Sequence, residues 1–126
     1  MEKTIINTEN APKAIGPYSQ AVQANGLLIT SGQLPIDPAI GKIVEGDIKA
    51  QTEQCFKNLK AILANAGLST ENVIKTTVFL ADIADFAAMN EVYAQHFTSA
   101  YPSRSAFQVA ALPMGAKVEI EAICAL

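Results

Sequence analysis

The sequence predicts an α+β fold in which a mixed β-sheet carries two helices on one face. Its 126 residues are enough for one hydrophobic core and too few for two, so we expect a single domain over 1–126. The hydrophobic pattern changes from a strand period to a helical period and back again. Two helices cannot cover both faces of such a sheet, so the other face is left for neighbouring copies to bury.

The N-terminal third of the chain predicts short strands. We expect them at residues 5–6, 19–24 and 27–30. Asn25-Gly26 is a strong signal for a two-residue hairpin turn, because both residue types tolerate positive φ. Two prolines and two glycines within 35–46 indicate a long connection.

The middle of the chain predicts a helix followed by a strand. Apolar and small side chains recur every three or four residues on one helical face, at Ile48, Thr52, Cys55, Leu59, Ile62, Leu63 and Ala66. Asp47 is placed to cap the start of this helix and Gly67 its end. The β-branched run at 73–80 is typical of a strand that is buried on both faces.

The C-terminal third predicts a second helix and two strands. The helix is expected to begin at Asp82 and to end before Pro102, with Phe86, Asn90, Tyr93 and Phe97 on one stripe. Strands are expected at 105–110 and 117–125. The predicted order is therefore β-β-β-α-β-α-β-β.

Composition limits the classes of partner. Charged residues make up 17% of the chain, against about 25% in an average domain, which favours either a subunit interface or a well-filled core. The net charge is -3 and the nine basic residues are scattered, so we expect no nucleic-acid partner. No apolar segment has the character of a secretory signal or the length of a membrane span, so we expect a cytoplasmic protein and no membrane partner.

The residue types that commonly hold metals or form triads are sparse. Cys55 and Cys124 lie far apart and are interpreted as buried apolar groups. The single histidine, His96, lies near the end of the second helix, where a structural role is commoner than catalysis. Because no metal-ligand spacing is present, we expect no metal or other cofactor.

Arg104 is the only arginine in the chain and stands at the start of a predicted strand. A guanidinium group binds a carboxylate through two parallel hydrogen bonds, a geometry that lysine cannot reproduce. Residues alone leave two interpretations open, a carboxylate-binding group and an ordinary surface arginine at a strand end.

Glu119 and Glu121 alternate with apolar residues in the last predicted strand, so their side chains share one sheet face. If subunits bury that face, such a carboxyl group has a raised pKa and can serve as a general acid or base. A solvated face is the commoner meaning of this pattern.

Four further residues are weaker candidates for a binding site. Asn90 interrupts an apolar helix stripe, where a buried amide needs hydrogen-bond partners; a bridge to backbone is its commoner role. Tyr18 follows a Gly-Pro turn, where its ring can line a pocket or simply pack on the surface. Ser31-Gly32 at a strand end offers a hydroxyl group and a close backbone approach.

Five segments taken together resemble the RidA/YjgF family, across essentially the whole chain and in the family's order and spacing. They are Ala11-Pro12-Lys13-Ala14-Ile15-Gly16-Pro17-Tyr18-Ser19-Gln20, Thr30-Ser31-Gly32-Gln33, Asn90-Glu91-Val92-Tyr93, Pro102-Ser103-Arg104-Ser105 and Val118-Glu119-Ile120-Glu121. The resemblance implies a chorismate-mutase-like fold, assembled as a homotrimer with ligand clefts between subunits. It also implies hydrolysis of 2-iminobutanoate and 2-iminopropanoate, which pyridoxal-phosphate-dependent dehydratases release, to 2-keto acids and ammonia.

The resemblance also implies roles for individual residues. Arg104 would anchor the substrate carboxylate, and Glu119 would activate the attacking water. The residues that would shape the cleft are Tyr18, Ser31, Gly32 and Asn90, with the backbone of Ala106 donating to the ligand. Many family members carry cysteine where this chain has Ala106, which argues against regulation through a thiol at that position.

Two other functions compete with hydrolysis. The first is a binding module that holds small carboxylates in the same clefts without turnover. The second is the nuclease or translation-inhibitor activity that has been attached to relatives in this family, which the acidic charge balance and the absence of a basic stripe disfavour.

Overall fold

The computed structural model describes residues 1–98 and 100–126. The chain begins with three antiparallel strands, β1 (Thr4–Ile6), β2 (Ala21–Ala24) and β3 (Leu27–Thr30). Asn25 and Gly26 join β2 to β3 with φ of 51° and 78°, the left-handed values that a two-residue hairpin requires. The predicted hairpin is confirmed.

A small second sheet follows, which the sequence did not predict. β4 (Ile36–Asp37) and β5 (Lys42–Ile43) form a two-stranded hairpin inside the segment that was expected to be a long connection. Asn58 ties this hairpin to the rest of the molecule, because its side-chain amide donates to the backbone carbonyls of Leu34 and Ile36. The anchor is 22 to 24 residues away in sequence, so local pattern does not reveal it.

The first helix, α1 (Ile48–Asn65), has the predicted caps. The Asp47 side chain accepts a hydrogen bond from the Ala50 amide at the start. At the end, Gly67 adopts φ +75°, and the amide of Leu68 donates to the carbonyl of Leu63, which satisfies groups that the last turn leaves free. The residues that α1 buries are the predicted ones with Gln51, Phe56 and Asn58 added, except that Ala66 follows the helix and is half-buried.

A β-α-β unit comes next. Strand β6 (Val73–Leu80) leads through a 3₁₀ turn at Ile83–Asp85 into α2 (Phe86–Gln95), and the chain returns as β7 (Ser103–Gln108), parallel to β6. Asp82 caps the 3₁₀ turn, so the α-helix begins four residues later than predicted. A parallel pair needs such a crossover, which explains why α2 lies between these two strands.

The last strand, β8 (Val118–Ala125), lies in the middle of the main sheet. The strand order is β1-β2-β3-β8-β6-β7, with β6 and β7 parallel and the other pairs antiparallel. The predicted mixed sheet in an α+β fold is confirmed. Neither helix has both the length and the apolar character that crossing a bilayer demands, among the residues described.

The two faces of the main sheet differ in what covers them. Both helices lie on one face, where β8 buries Val118, Ile120, Ala122 and Cys124 and β6 buries Thr76, Val78 and Leu80. We call the other side the open face. It exposes large apolar side chains, among them Ile5 (51%), Ile29 (51%) and Phe107 (45%).

Candidate functional site

Arg104 projects from β7 toward the helix side of the sheet. Its register partner on β6 is Thr76, which is 1% exposed in the core beneath the helices. Residues paired in this way point to the same face, so Arg104 lies on the side that α2 covers. Its position at the edge of the sheet leaves it half-buried.

Three side chains of α2 contact the Arg104 guanidinium group. Nη1 donates a 2.7 Å hydrogen bond to Oδ1 of Asn90, and the guanidinium carbon lies 4.6 Å from the ring centre of Tyr93 and 5.4 Å from that of Phe86. Positions 86, 90 and 93 share one helix face because they are four and three residues apart. We call Arg104 and these three side chains the arginine site.

The arginine site borders an open cleft of about 400 Å³. Its lining comprises Asn90, Tyr93, Ala94, Tyr101, Pro102 and Arg104. Within the part of the chain that the structure describes, Arg104 forms no ion pair with a carboxylate. A half-buried guanidinium group without an acidic partner is suited to bind an anion from outside the chain.

Asn90 has an environment that differs from the one expected. The sequence interpretation placed its amide in a buried stripe, whereas the structure exposes it and directs its carbonyl oxygen at Arg104. The reason is that α2 has only ten residues and buries only Met89, Val92 and Tyr93, which leaves position 90 facing the sheet edge. Ala106 follows Arg104 on the same face of β7 and is half-buried opposite Val78.

Glu119 lies on the open face of β8, opposite Phe79 of β6. Burial raises the pKa of its carboxyl group, and the negative charge of Glu121 on the same face raises it further. The carboxyl group lies very close to Gly32. A Cβ atom built on that glycine would be only 2.9 Å from both Cδ and Oε2 of Glu119. Only glycine therefore fits at position 32 without displacing that carboxyl group.

Ser31 and Tyr18 lie on the segments around Gly32. The Ser31 hydroxyl group donates a 2.6 Å hydrogen bond to the carbonyl of Ser19, which fastens the 11–20 loop to the end of β3. Tyr18 and Gly32 both line a second cavity, of about 170 Å³. We call Glu119, Gly32, Ser31 and Tyr18 the glutamate site.

Within one chain, the arginine site and the glutamate site lie on opposite faces of the sheet. Arg104 pairs with Thr76 and Glu119 pairs with Phe79, so the two residues are two strands and three positions apart. At ~4.8 Å between strands and ~3.3 Å per residue, their Cα atoms are roughly 14 Å apart, with side chains pointing in opposite directions. One chain therefore does not bring these two groups to one small ligand.

The remaining candidate residues, the two cysteines and His96, have surroundings typical of structural residues. Both cysteines are free and buried. Burial raises the pKa of Cys55 well above its ordinary value and that of Cys124 to about 11, so neither is a ready nucleophile.

His96 ends α2, where its Nε2 lies 3.1 Å from Glu53 Oε2 and its ring stacks on Phe56. Among the described residues, no three His, Cys, Asp or Glu side chains are close enough to hold a metal ion.

Sequence reasoning missed Tyr93 and Phe86 as parts of the arginine site, and Thr76 as the β6 residue that contacts Tyr93. The first two were interpreted only as members of an apolar stripe, and Thr76 only as a strand residue. Their spacing on α2 was visible, but the register between β6 and β7 that brings Arg104 to them was not.

Comparison with known proteins gives the family. The model of the family described as Endoribonuclease L-PSP matches residues 8–126. A goat (Capra hircus) protein named 2-iminobutanoate/2-iminopropanoate deaminase is 53% identical over 121 residues, which cover 96% of this chain and 88% of that protein.

Solved structures agree with this match. A Yersinia pestis protein of unknown function of the conserved Rid family, YyfA, superimposes with a TM-score of 0.97 at 48% identity, covering 99% of this chain and all of that one. Escherichia coli TdcF with bound serine gives 0.92 at 47% identity, covering 98% of each chain. This chain therefore belongs to the endoribonuclease L-PSP family, which is the RidA/YjgF family.

Proposed function

We propose that this chain is a cytoplasmic enamine/imine deaminase that hydrolyses 2-iminobutanoate and 2-iminopropanoate to 2-keto acids and ammonia. The observation that carries the proposal is the half-buried Arg104 guanidinium group, which has no carboxylate partner among the described residues and faces a cleft. The name of the goat relative, at 53% identity over nearly the whole chain, supports the same reaction.

The substrate's carboxylate is the group that Arg104 recognises in this proposal. Its planar fork can form two parallel hydrogen bonds, while the contact with Asn90 fixes its orientation. Once the carboxylate is bound, the neighbouring C=N carbon is held at one position in the cleft. Orientation of this kind can lower the activation barrier by about 7 kcal/mol in favourable cases.

Glu119 acts as the general base in this proposal. It takes a proton from water as the water oxygen bonds to the imine carbon, and it then passes that proton to the nitrogen to give a carbinolamine. Collapse of that intermediate breaks the C–N bond, releases ammonia and leaves the 2-keto acid. A carboxyl group whose pKa burial has raised is a stronger base than an ordinary glutamate, which suits this role.

The complete cleft, in our proposal, forms between two copies of a homotrimer. Arg104 comes from one copy and the glutamate site from the next, with Tyr18, Ser31, Gly32, Asn90 and the Ala106 backbone around the ligand. Two observations support this: Arg104 and Glu119 lie on opposite faces of one sheet, and the open face exposes large apolar side chains. Exposed apolar surface of this kind is typical of a subunit interface.

A coupled assay tests the reaction. Threonine dehydratase releases the imine, and the rate of 2-keto acid formation is measured with and without this protein. We expect a faster rate with the wild type and a fall in kcat/KM of about 100-fold or more for Arg104→Ala. Lys57→Ala, which removes an exposed cation from α1, is the matched control and should equal the wild type. Equal rates for Arg104→Ala and the wild type would refute the carboxylate-anchor role.

A binding module without turnover is the second candidate, and it is favoured by the TdcF structure with bound serine, a small carboxylate. Glu119→Gln separates it from the deaminase. Loss of rate with retained binding of 2-oxobutanoate supports catalysis, whereas a protein that binds 2-oxobutanoate and never accelerates hydrolysis is a binding module.

A further inference from the structure

Tyr93 contacts the proposed carboxylate anchor without being a candidate for contact with reacting atoms. It is only 4% exposed, yet its ring lies beneath the Arg104 guanidinium group at 4.6 Å from ring centre to guanidinium carbon. A cation over a ring face is attracted to it, and the flat guanidinium group can also stack there. The ring therefore contacts the guanidinium group from one side.

A buried hydrogen bond in turn holds that ring. The Tyr93 hydroxyl group and the Thr76 hydroxyl group are 2.6 Å apart, and Thr76 is also the β6 residue in register with Arg104. Thr76 of β6 therefore holds Tyr93 of α2, and Tyr93 in turn supports Arg104 of β7. Because the Tyr93 hydroxyl group is buried, losing Thr76 would leave it without its partner.

Two further contacts complete the support for the guanidinium group. Asn90 accepts a hydrogen bond from Nη1, and the ring of Phe86 lies 5.4 Å from the guanidinium carbon. Only one N–H group of the fork is donated within the described part of the chain, so its other N–H groups remain for a ligand in the cleft.

We propose that Tyr93 is a positioning residue which, held by Thr76, fixes the plane of the Arg104 guanidinium group so that both arms of the fork meet one carboxylate. This inference rests on the proposed function of the arginine site and adds to it the residues that preorganise the anchor. A flexible arginine would have to lose its rotational freedom on binding, which weakens affinity for the carboxylate.

The test is a double-mutant cycle on the intact enzyme. Tyr93→Met keeps apolar bulk and removes the ring, and Tyr93→Phe keeps the ring as the conservative variant. We expect Tyr93→Met to raise KM for the imino acid by about 10-fold with kcat changed by less than about 2-fold, and Tyr93→Phe, which keeps the ring but loses the hydrogen bond to Thr76, to raise KM by only about 3-fold.

The Arg104→Lys background separates positioning from packing, because lysine has no plane to orient. There we expect Tyr93→Met to change KM by less than about 2-fold. The same 10-fold rise in both backgrounds would overturn the inference. If Arg104→Lys alone left KM unchanged, the proposed function would fail at its anchor, which is a different result.

A spectroscopic measurement keeps the inference testable should Tyr93→Met not fold. Arg104 is the only arginine, so its Nε–Hε group gives one assignable NMR signal in the wild-type protein. A fixed guanidinium group over an aromatic face should show this signal displaced upfield by the ring, and the displacement should persist in Tyr93→Phe. A signal at the position of a freely rotating arginine would overturn the inference.

Discussion

The arginine site and the glutamate site are built in opposite ways on one sheet. At the first, a cation is supported from several directions by one helix, with Asn90, Tyr93 and Phe86 all contacting Arg104. At the second, Glu119 lies on the open face with Gly32 as its close neighbour, and none of the helices that the structure describes covers that face. The chain by itself supports the Arg104 guanidinium group, whereas the glutamate site stays on the face that its described helices leave open.

In our proposal, this difference divides one reaction between the two faces of a small domain. The Arg104 guanidinium group is fixed by packing, which the side chains of α2 supply. Burial raises the pKa of a carboxyl group, and a second copy on the open face would increase the burial that Glu119 already has. We therefore expect the glutamate site to depend more on assembly than the arginine site does.

Among substitutions that leave Arg104 and Glu119 in place, the largest effect is expected from Gly32→Ala, which would break the glutamate site while sparing the fold. The added Cβ would lie 2.9 Å from Cδ of Glu119, and the carboxyl end of a side chain can move aside. We expect kcat/KM to fall by about 10- to 100-fold, with the free energy of unfolding within about 1 kcal/mol of the wild type.

The matched control is Gly67→Ala, at the end of α1. Gly67 has φ +75°, so alanine is strained there, and we expect a loss of about 1 kcal/mol in a denaturant titration with the rate per folded enzyme unchanged. A wild-type rate for Gly32→Ala would mean that the position of the Glu119 carboxyl group does not matter.

A smaller effect is expected from Glu121, which tests the electrostatics of the open face. Burial is the main cause of the raised Glu119 pKa, and the charge of Glu121 adds to it. Since the proposed base must be ionised, Glu121→Gln should lower the Glu119 pKa and move the acid limb of the kcat/KM profile to lower pH. If the acid limb of Glu121→Gln stayed at the wild-type pH with the same substrate, ionisation of Glu119 would not be its cause.

The smallest effect concerns the helix that carries the arginine site. Burial lowers the pKa of His96, which faces Glu53 and Lys60 of α1. Its folded pKa lies below its unfolded value, so this stabilising contribution is complete above pH ~6.5 and is lost as the pH falls below it. His96→Phe should flatten the fall in unfolding free energy between pH 7 and pH 5 by about 1 kcal/mol or less. A steeper fall in the variant than in the wild type would contradict a lowered pKa of His96 in the folded state.

Local signals predicted most of the fold. Asn25-Gly26, Asp47 and Gly67 each determine their own turn or cap through their residue type, and α1 buries the face that its period indicated. The β4–β5 hairpin was missed because Asn58 anchors it from a distant helix. The late start of α2 was missed because the Asp82 cap begins a 3₁₀ turn and not the helix.

The sequence singles out some residues of the candidate site but not their arrangement. Arg104 and Glu119 stood out by residue type and strand alternation, and family resemblance gave them roles. Their position on opposite faces depends on the pairing of β7 with β6 and of β6 with β8. Strand pairing joins residues far apart in sequence, so no local pattern contained this information.

Subunit mixing tests the division of the site between copies most directly. Arg104→Ala and Glu119→Gln proteins, each refolded alone, should be inactive in the dehydratase-coupled assay. Refolded together in equal amounts as a cyclic trimer, about one quarter of their clefts would join an intact Arg104 to an intact Glu119. We predict recovery of about a quarter of the wild-type rate. No recovery in mixed trimers would contradict a site shared between two copies.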